Sequence, residues 1–60
     1  MTLIKRVADD EYRLIGSDGQ TITTYETTKM VHPDDWIADA RNAGEAVYGP
    51  YDWEYVDDRQ

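Results

Sequence analysis

Two runs rich in β-branched and aromatic residues flank Ser17-Asp18-Gly19-Gln20, and nothing else in the chain constrains its fold as strongly. Gly tolerates positive φ and Asp nearly does, so Asp-Gly between two such runs predicts a β-hairpin. Residues 11–16 (Glu-Tyr-Arg-Leu-Ile-Gly) alternate Tyr12 and Leu14 against Arg13 and Ile15, the pattern of a strand with one drier face. Residues 21–27 (Thr-Ile-Thr-Thr-Tyr-Glu-Thr) lose rotamer freedom in a helix and pack well on a pleated surface. Residues 3–8 (Leu-Ile-Lys-Arg-Val-Ala) fit an edge strand, either separate from 11–16 or continuous with it through the polar Asp9-Asp10 break.

Pro33 predicts a helix start, because its missing N–H would be unpaired in the first turn anyway. Asp34 and Asp35 then fall where the helix dipole favours negative charge, and His32, not a preferred cap, takes the N-cap position. Trp36, Ile37, Ala40, Ala43, Gly44 and Val47 recur on one helical face, and Arg41 and Glu45 form an i,i+4 pair. Gly49-Pro50 is the expected stop. Residues 51–56 (Tyr-Asp-Trp-Glu-Tyr-Val) alternate as a strand, with Tyr51, Trp53 and Tyr55 on one face and Asp52 and Glu54 on the other.

The expected architecture is a small two-layer α+β domain. An antiparallel sheet of three or four strands carries one helix on one face, in the order β(β)βαβ. Residues 1–60 form a single domain, with 57–60 as a polar tail that frays. A chain this short buries only about 60% of its unfolded surface, so its core is small. There is no Phe and no Cys. The apolar positions available are Leu3, Ile4, Val7, Leu14, Ile15, Ile22, Ile37, Val47 and Val56, with the two Trp and five Tyr supplying bulk. The absence of Cys excludes disulfides and thiolate metal sites. Met1–Arg6 lacks a secretory apolar segment, and no stretch approaches a membrane span of roughly 18 apolar residues. A cytoplasmic location fits these features, and the chain reads as a whole small open reading frame.

Charge is distributed unevenly. The net charge is −7. Residues 31–60 hold eight carboxylates against Arg41 and Arg59, a net of −6, and residues 1–30 are close to neutral at −1. Such a field repels nucleic acid and anionic membrane and attracts basic protein surfaces. Lys5, Arg6, Arg13 and Lys29 are too few for phosphate binding, so direct nucleic-acid contact is not expected. If those four cations shared the open sheet face, the molecule would be bipolar.

Motifs that carry chemistry are absent. His32 with Asp34 and Asp35 matches no ligand spacing, and neither Asp9-Asp10-Glu11 nor Asp57-Asp58 has the order of a calcium loop, so no metal or cofactor is expected. Ser17 is the only serine and lies in a turn, and a sheet with one helix leaves little room for a cleft of about 300 Å³, so the chain is not expected to be an enzyme. The threonines at 21, 23, 24, 27 and 28 serve β-propensity.

Two readings remain for the aromatic and acidic residues. Tyr51, Trp53 and Tyr55 are a core row under the helix or a partly exposed strip of binding anchors. As a binding surface, Tyr51 and Trp53 anchor a protein partner, and Asp35, Asp39, Asp52, Glu54, Asp57 and Asp58 steer a basic surface onto it. Carboxylates spaced on a rigid surface imitate a phosphate backbone, so a nucleic-acid-binding protein is the expected partner. In size, charge and element order the chain resembles the short acidic proteins that bacteriophages and other mobile elements encode to bind and inhibit host enzymes. That resemblance implies a non-enzymatic inhibitor. The alternative is a structural or assembly protein acting as a homodimer, its acidity serving solubility or salt adaptation.

Overall fold

The computed structural model describes residues 1–59. Its elements are β1 (Thr2–Ala8), β2 (Glu11–Ile15), β3 (Thr21–Glu26), α1 (Pro33–Asn42) and β4 (Trp53–Asp57). The four strands form one sheet in the order β3-β2-β1-β4, with α1 on one face. The α+β two-layer architecture and its element order are as the residues predict, and residues 3–8 belong to a strand of their own.

The hairpin between β2 and β3 has a three-residue connection rather than a two-residue Asp-Gly turn. Gly16 N–H donates to the Gln20 carbonyl at 2.9 Å, and Gly19 N–H donates to the Gly16 carbonyl at 2.9 Å. Gly19 alone in this turn has positive φ, at 84°, so Asp18 stays right-handed and Gly19 supplies the left-handed step. Ile22 is an extra residue in β3, because Leu14 pairs with Thr23 and Ile15 with Thr21. The bulge lets Ile22 pack against the core from an edge strand.

The sheet is mixed, not wholly antiparallel. β4 runs parallel to β1, with Ile4 opposite Tyr55. The cause is the crossover. Residues 27–52 leave β3, pass through α1 and return to the end of the sheet where β1 and β3 both begin. A parallel neighbour needs a connection of about a dozen residues or more, and this one has the length for it.

Alternation and register divide the strand residues between two faces. Ile4, Tyr12 and Leu14 lie toward the helix and are buried with Trp36, Ala40 and Val47. Leu3, Ile15 and Val56, expected in the core, lie on the opposite face and are half-buried there, and Val7 sits at a bulge in β1 and is half-buried as well. Trp36 and Tyr12 supply the bulk that Phe would otherwise provide, and both are fully buried.

That packing leaves three buried side-chain atoms without a hydrogen-bond partner among the described residues, the Tyr12 hydroxyl, the Trp36 indole N–H and Arg6 Nε. A buried hydroxyl without a partner carries a desolvation cost of about 1–3 kcal/mol. Tyr12→Phe removes that cost while keeping the ring under the Arg6 guanidinium, which lies 5.0 Å from its centroid. The variant is expected to be more stable by about 1 kcal/mol. A urea midpoint below that of the parent protein would contradict this.

The open face carries Lys5 directly opposite Arg13. Like charges across a strand pair repel, and each is answered locally. Lys5 meets Asp58 at 3.7 Å and Arg13 meets Glu11 at 3.0 Å. Arg6 lies on the helix side over Tyr12, and Lys29 is in the loop after β3, so the bipolar arrangement does not form. Residues 57–59 make defined contacts. Asp57 closes β4, Asp58 N–H donates to the Arg6 carbonyl at 2.8 Å, and Arg59 pairs with both Asp57 and Asp9. Gln60, the last residue of the expected tail, lies outside the described residues. No helix among the described residues is long and apolar enough to cross a membrane.

Candidate protein-binding surface

The helix ends well before Gly49-Pro50. Gly44 adopts φ +89° as the first residue past the cap, its N–H donates to the Arg41 carbonyl, and Glu45 N–H reaches back to the Ala40 carbonyl. This pair of bonds is the Schellman closure, and it needs the left-handed residue that glycine provides. Ala43 and Gly44 therefore do not continue the buried helical face, and Val47 reaches the core from a loop.

The expected Arg41–Glu45 pair does not exist, because the helix stops between them. Arg41 Nε donates to the Val47 carbonyl at 2.7 Å, and its guanidinium sits 5.0 Å from the Tyr48 ring centroid. Glu45 turns the other way. Its carboxylate accepts from the Thr2 hydroxyl at 2.8 Å and from the Ser17 N–H at 2.7 Å. One side chain thus ties the start of β1, the hairpin turn and the post-helix loop. These bonds, from Thr2 first and then Ser17, hold the Glu45 carboxyl below its ordinary value.

A lowered carboxyl pKa adds stability above the unfolded value, and that contribution is lost as pH falls through the lower folded value. Glu45→Gln keeps an acceptor but cannot titrate. The acid limb of a melting-temperature profile should accordingly be shallower in the variant than in the parent. Superimposable limbs would show that the tie contributes nothing.

From Val47 the chain enters a tight loop closed by Asp52. Its Oδ2 accepts from the N–H groups of Tyr48 at 2.9 Å and Gly49 at 2.8 Å, and Asp52 N–H donates to the Gly49 carbonyl at 3.2 Å. Tyr48 and Tyr51 project from this loop, 76% and 90% exposed. Trp53, the first residue of β4, turns inward and meets Trp36 edge-on, with centroids 5.1 Å apart. Tyr55 follows on the same side of β4 at 40% exposure, and Glu54 is exposed on the other face.

The aromatic row is therefore divided. Trp53 is half-buried, with its ring packed edge-on against Trp36. Tyr51 is solvent-facing because β4 begins only after it. Tyr48 joins Tyr51 on the surface. The signal for it was the Gly-Pro turn, which puts the residues on either side at a loop tip.

The acidic residues are divided as well. Asp57 is held by Arg59 at 2.7 Å, which lowers its carboxyl pKa, and Asp58 is paired with Lys5. Each thus has a cationic neighbour. Asp35 Oδ2 accepts from His32 N–H, and His32 Nδ1 accepts from Asp34 N–H, forming a reciprocal cap, so an unfavoured residue works as N-cap through its ring nitrogen. Asp39 accepts from the Tyr25 hydroxyl at 2.5 Å, and burial together with that carboxylate pushes the Tyr25 phenol above its ordinary value. Asp35 and Asp39 thus sit on the helix, Asp57 and Asp58 at the far end of β4, and Tyr51, Asp52 and Glu54 around the start of β4. With Trp53, the first residue of β4, the eight expected contact residues thus come from three places in the fold. The third group, with Tyr48 and Glu45 beside it, combines exposed aromatic rings with carboxylates that no cation within the described residues neutralises.

Two clefts indent the surface of the described residues. One cleft of about 320 Å³ lies between the 43–52 loop and the start of β1. Another, of about 700 Å³, lies at Val7–Asp10 with Thr28 and Asp58. No known protein family, no characterised protein and no solved structure matches the chain.

Proposed function

We propose that this chain is a non-enzymatic protein-binding module that occupies a basic surface of its partner, of the kind that otherwise holds nucleic acid. Tyr48, Tyr51, Asp52 and Glu54 form the contact. The observation that carries the reading is the exposure of Tyr51 and Tyr48 on a loop already fixed by hydrogen bonds. Tyrosine is enriched at binding hot spots, and a preorganised loop loses little entropy on association. The net charge of −7 adds long-range attraction to a basic partner. Such a module acts by occlusion, as an inhibitor from a mobile element would in the cytoplasm. His32, a residue type a nucleophilic site would draw on, is engaged at the helix cap through Nδ1.

Glu54 is the clean probe of the acidic contribution, because Asp52 also closes the loop. Capture from a bacterial lysate at low salt should recover a partner that high salt elutes, and Glu54→Lys should abolish recovery while the circular dichroism spectrum is unchanged. Undiminished recovery by Glu54→Lys would refute the reading. A homodimer is the second reading. It is favoured by the two open sheet edges, β3 and β4, of which β3 presents Thr21, Thr23 and Thr24 without a cation among them. Light scattering over a concentration series separates the two, since only the second predicts a mass that doubles.

A further inference from the structure

We propose that the cleft between Tyr51 and the start of β1 is a receptor for an arginine side chain of the partner. This rests on the reading of the chain as a binding module and specifies what the partner inserts. Met1, Ala46 and Tyr51 give the cleft apolar and aromatic walls, and Glu45 and Asp52 give it carboxylates. At about 320 Å³ it accommodates one long side chain.

Both carboxylates are fixed in advance. Glu45 is held by Thr2 and Ser17, and Asp52 by the Tyr48 and Gly49 N–H groups. Asp52 uses only Oδ2 for this, and Glu45 Oε2 has only a long 3.5 Å contact from the Ser17 hydroxyl. One oxygen on each is therefore open to a strong new donor. Among the described residues, no Lys, Arg or terminal amine pairs with either carboxylate. The larger cleft differs in this respect: its Asp9 and Asp58 already carry Arg59 and Lys5.

Guanidinium suits the site better than ammonium. It is planar, stacks on a tyrosine face, and donates from two edges at once. The protein makes the same contact internally, with Arg41 over Tyr48. Two charge-assisted hydrogen bonds from a planar guanidinium fix its orientation, which a single mobile ammonium contact does not.

The test is a ¹⁵N–¹H titration of the whole chain with N-acetyl-arginine methylamide, and with the neutral isostere N-acetyl-citrulline methylamide. Arginine amide should shift the amides of Ser17, Ala46, Tyr51 and Asp52 first, and the citrulline probe should not. Glu45→Gln and Tyr51→Ala should each weaken the arginine response about tenfold, the factor expected for one lost charge-assisted contact. Tyr51 is exposed, so its truncation keeps the fold even if Glu45→Gln perturbs it. Equal shifts at Asp34, Asp35 and Asp39, an equal response to citrulline, or no response would overturn the proposal. Those results leave the binding-module reading standing, because Glu54, its probe, does not line this cleft.

Discussion

Trp36→Ala is expected to unfold this domain at 25 °C. The indole is fully buried, it is the largest side chain in the core, and it meets Trp53 edge-on. Truncating a buried aromatic to Ala costs about 3–5 kcal/mol through lost transfer energy and the cavity left behind. A 60-residue domain has roughly 3–9 kcal/mol in total, at about 0.05–0.15 kcal/mol per residue. The loss is thus comparable with the whole. With no Phe and no disulfide, nothing else in the chain compensates. The far-UV circular dichroism spectrum should lose its sheet and helix signal, and Trp53 fluorescence should move to the red as its ring enters water. A variant that still unfolds cooperatively within about 1 kcal/mol of the parent would show that Trp36 is not the centre of the core.

The second large effect concerns binding alone. Tyr48→Ala combined with Tyr51→Ala should weaken partner affinity by about 2 kcal/mol or more, roughly thirtyfold, if these rings are the anchors. Both are exposed in the free protein, so stability should change by no more than about 0.5 kcal/mol. This separation distinguishes them from Trp53, whose removal would also loosen the core. The measurement is a dissociation constant for the captured partner beside a urea titration of the same variant. An unchanged dissociation constant would remove the tyrosines from the contact. A collapsed urea midpoint would show instead that the loop supports the fold.

The sequence was most legible where the physics is local. The Asp18-Gly19 signal marked the hairpin even though the turn has three residues, because both turn types need a left-handed glycine. Pro33 with two following aspartates marked the helix start. The helix end was misplaced because Gly44 fits the apolar face by spacing, whereas its left-handed backbone closes the helix. The direction of β4 was not legible, since it depends on where a long crossover delivers the chain. Nor was the sharing of apolar residues between two faces, because Leu3, Ile15 and Val56 are as apolar as the residues that reached the core. The acidic surface divided for a similar reason. Asp57 and Arg59 are two apart on an extended segment and therefore share a face, which could have been read in advance. The Lys5–Asp58 pair could not, because it depends on β4 lying beside β1.

The parallel pairing of β1 with β4 has a consequence for how the molecule comes into being on the ribosome. β1 must wait for β4, with two strands and a helix synthesised between them. Until β4 has left the exit tunnel, the Trp36 ring lacks its edge-on neighbour and one edge of β1 stands open. Such a topology favours late, all-or-none acquisition of structure once β4 is available, and makes chains stalled before β4 targets for holdase chaperones and proteases.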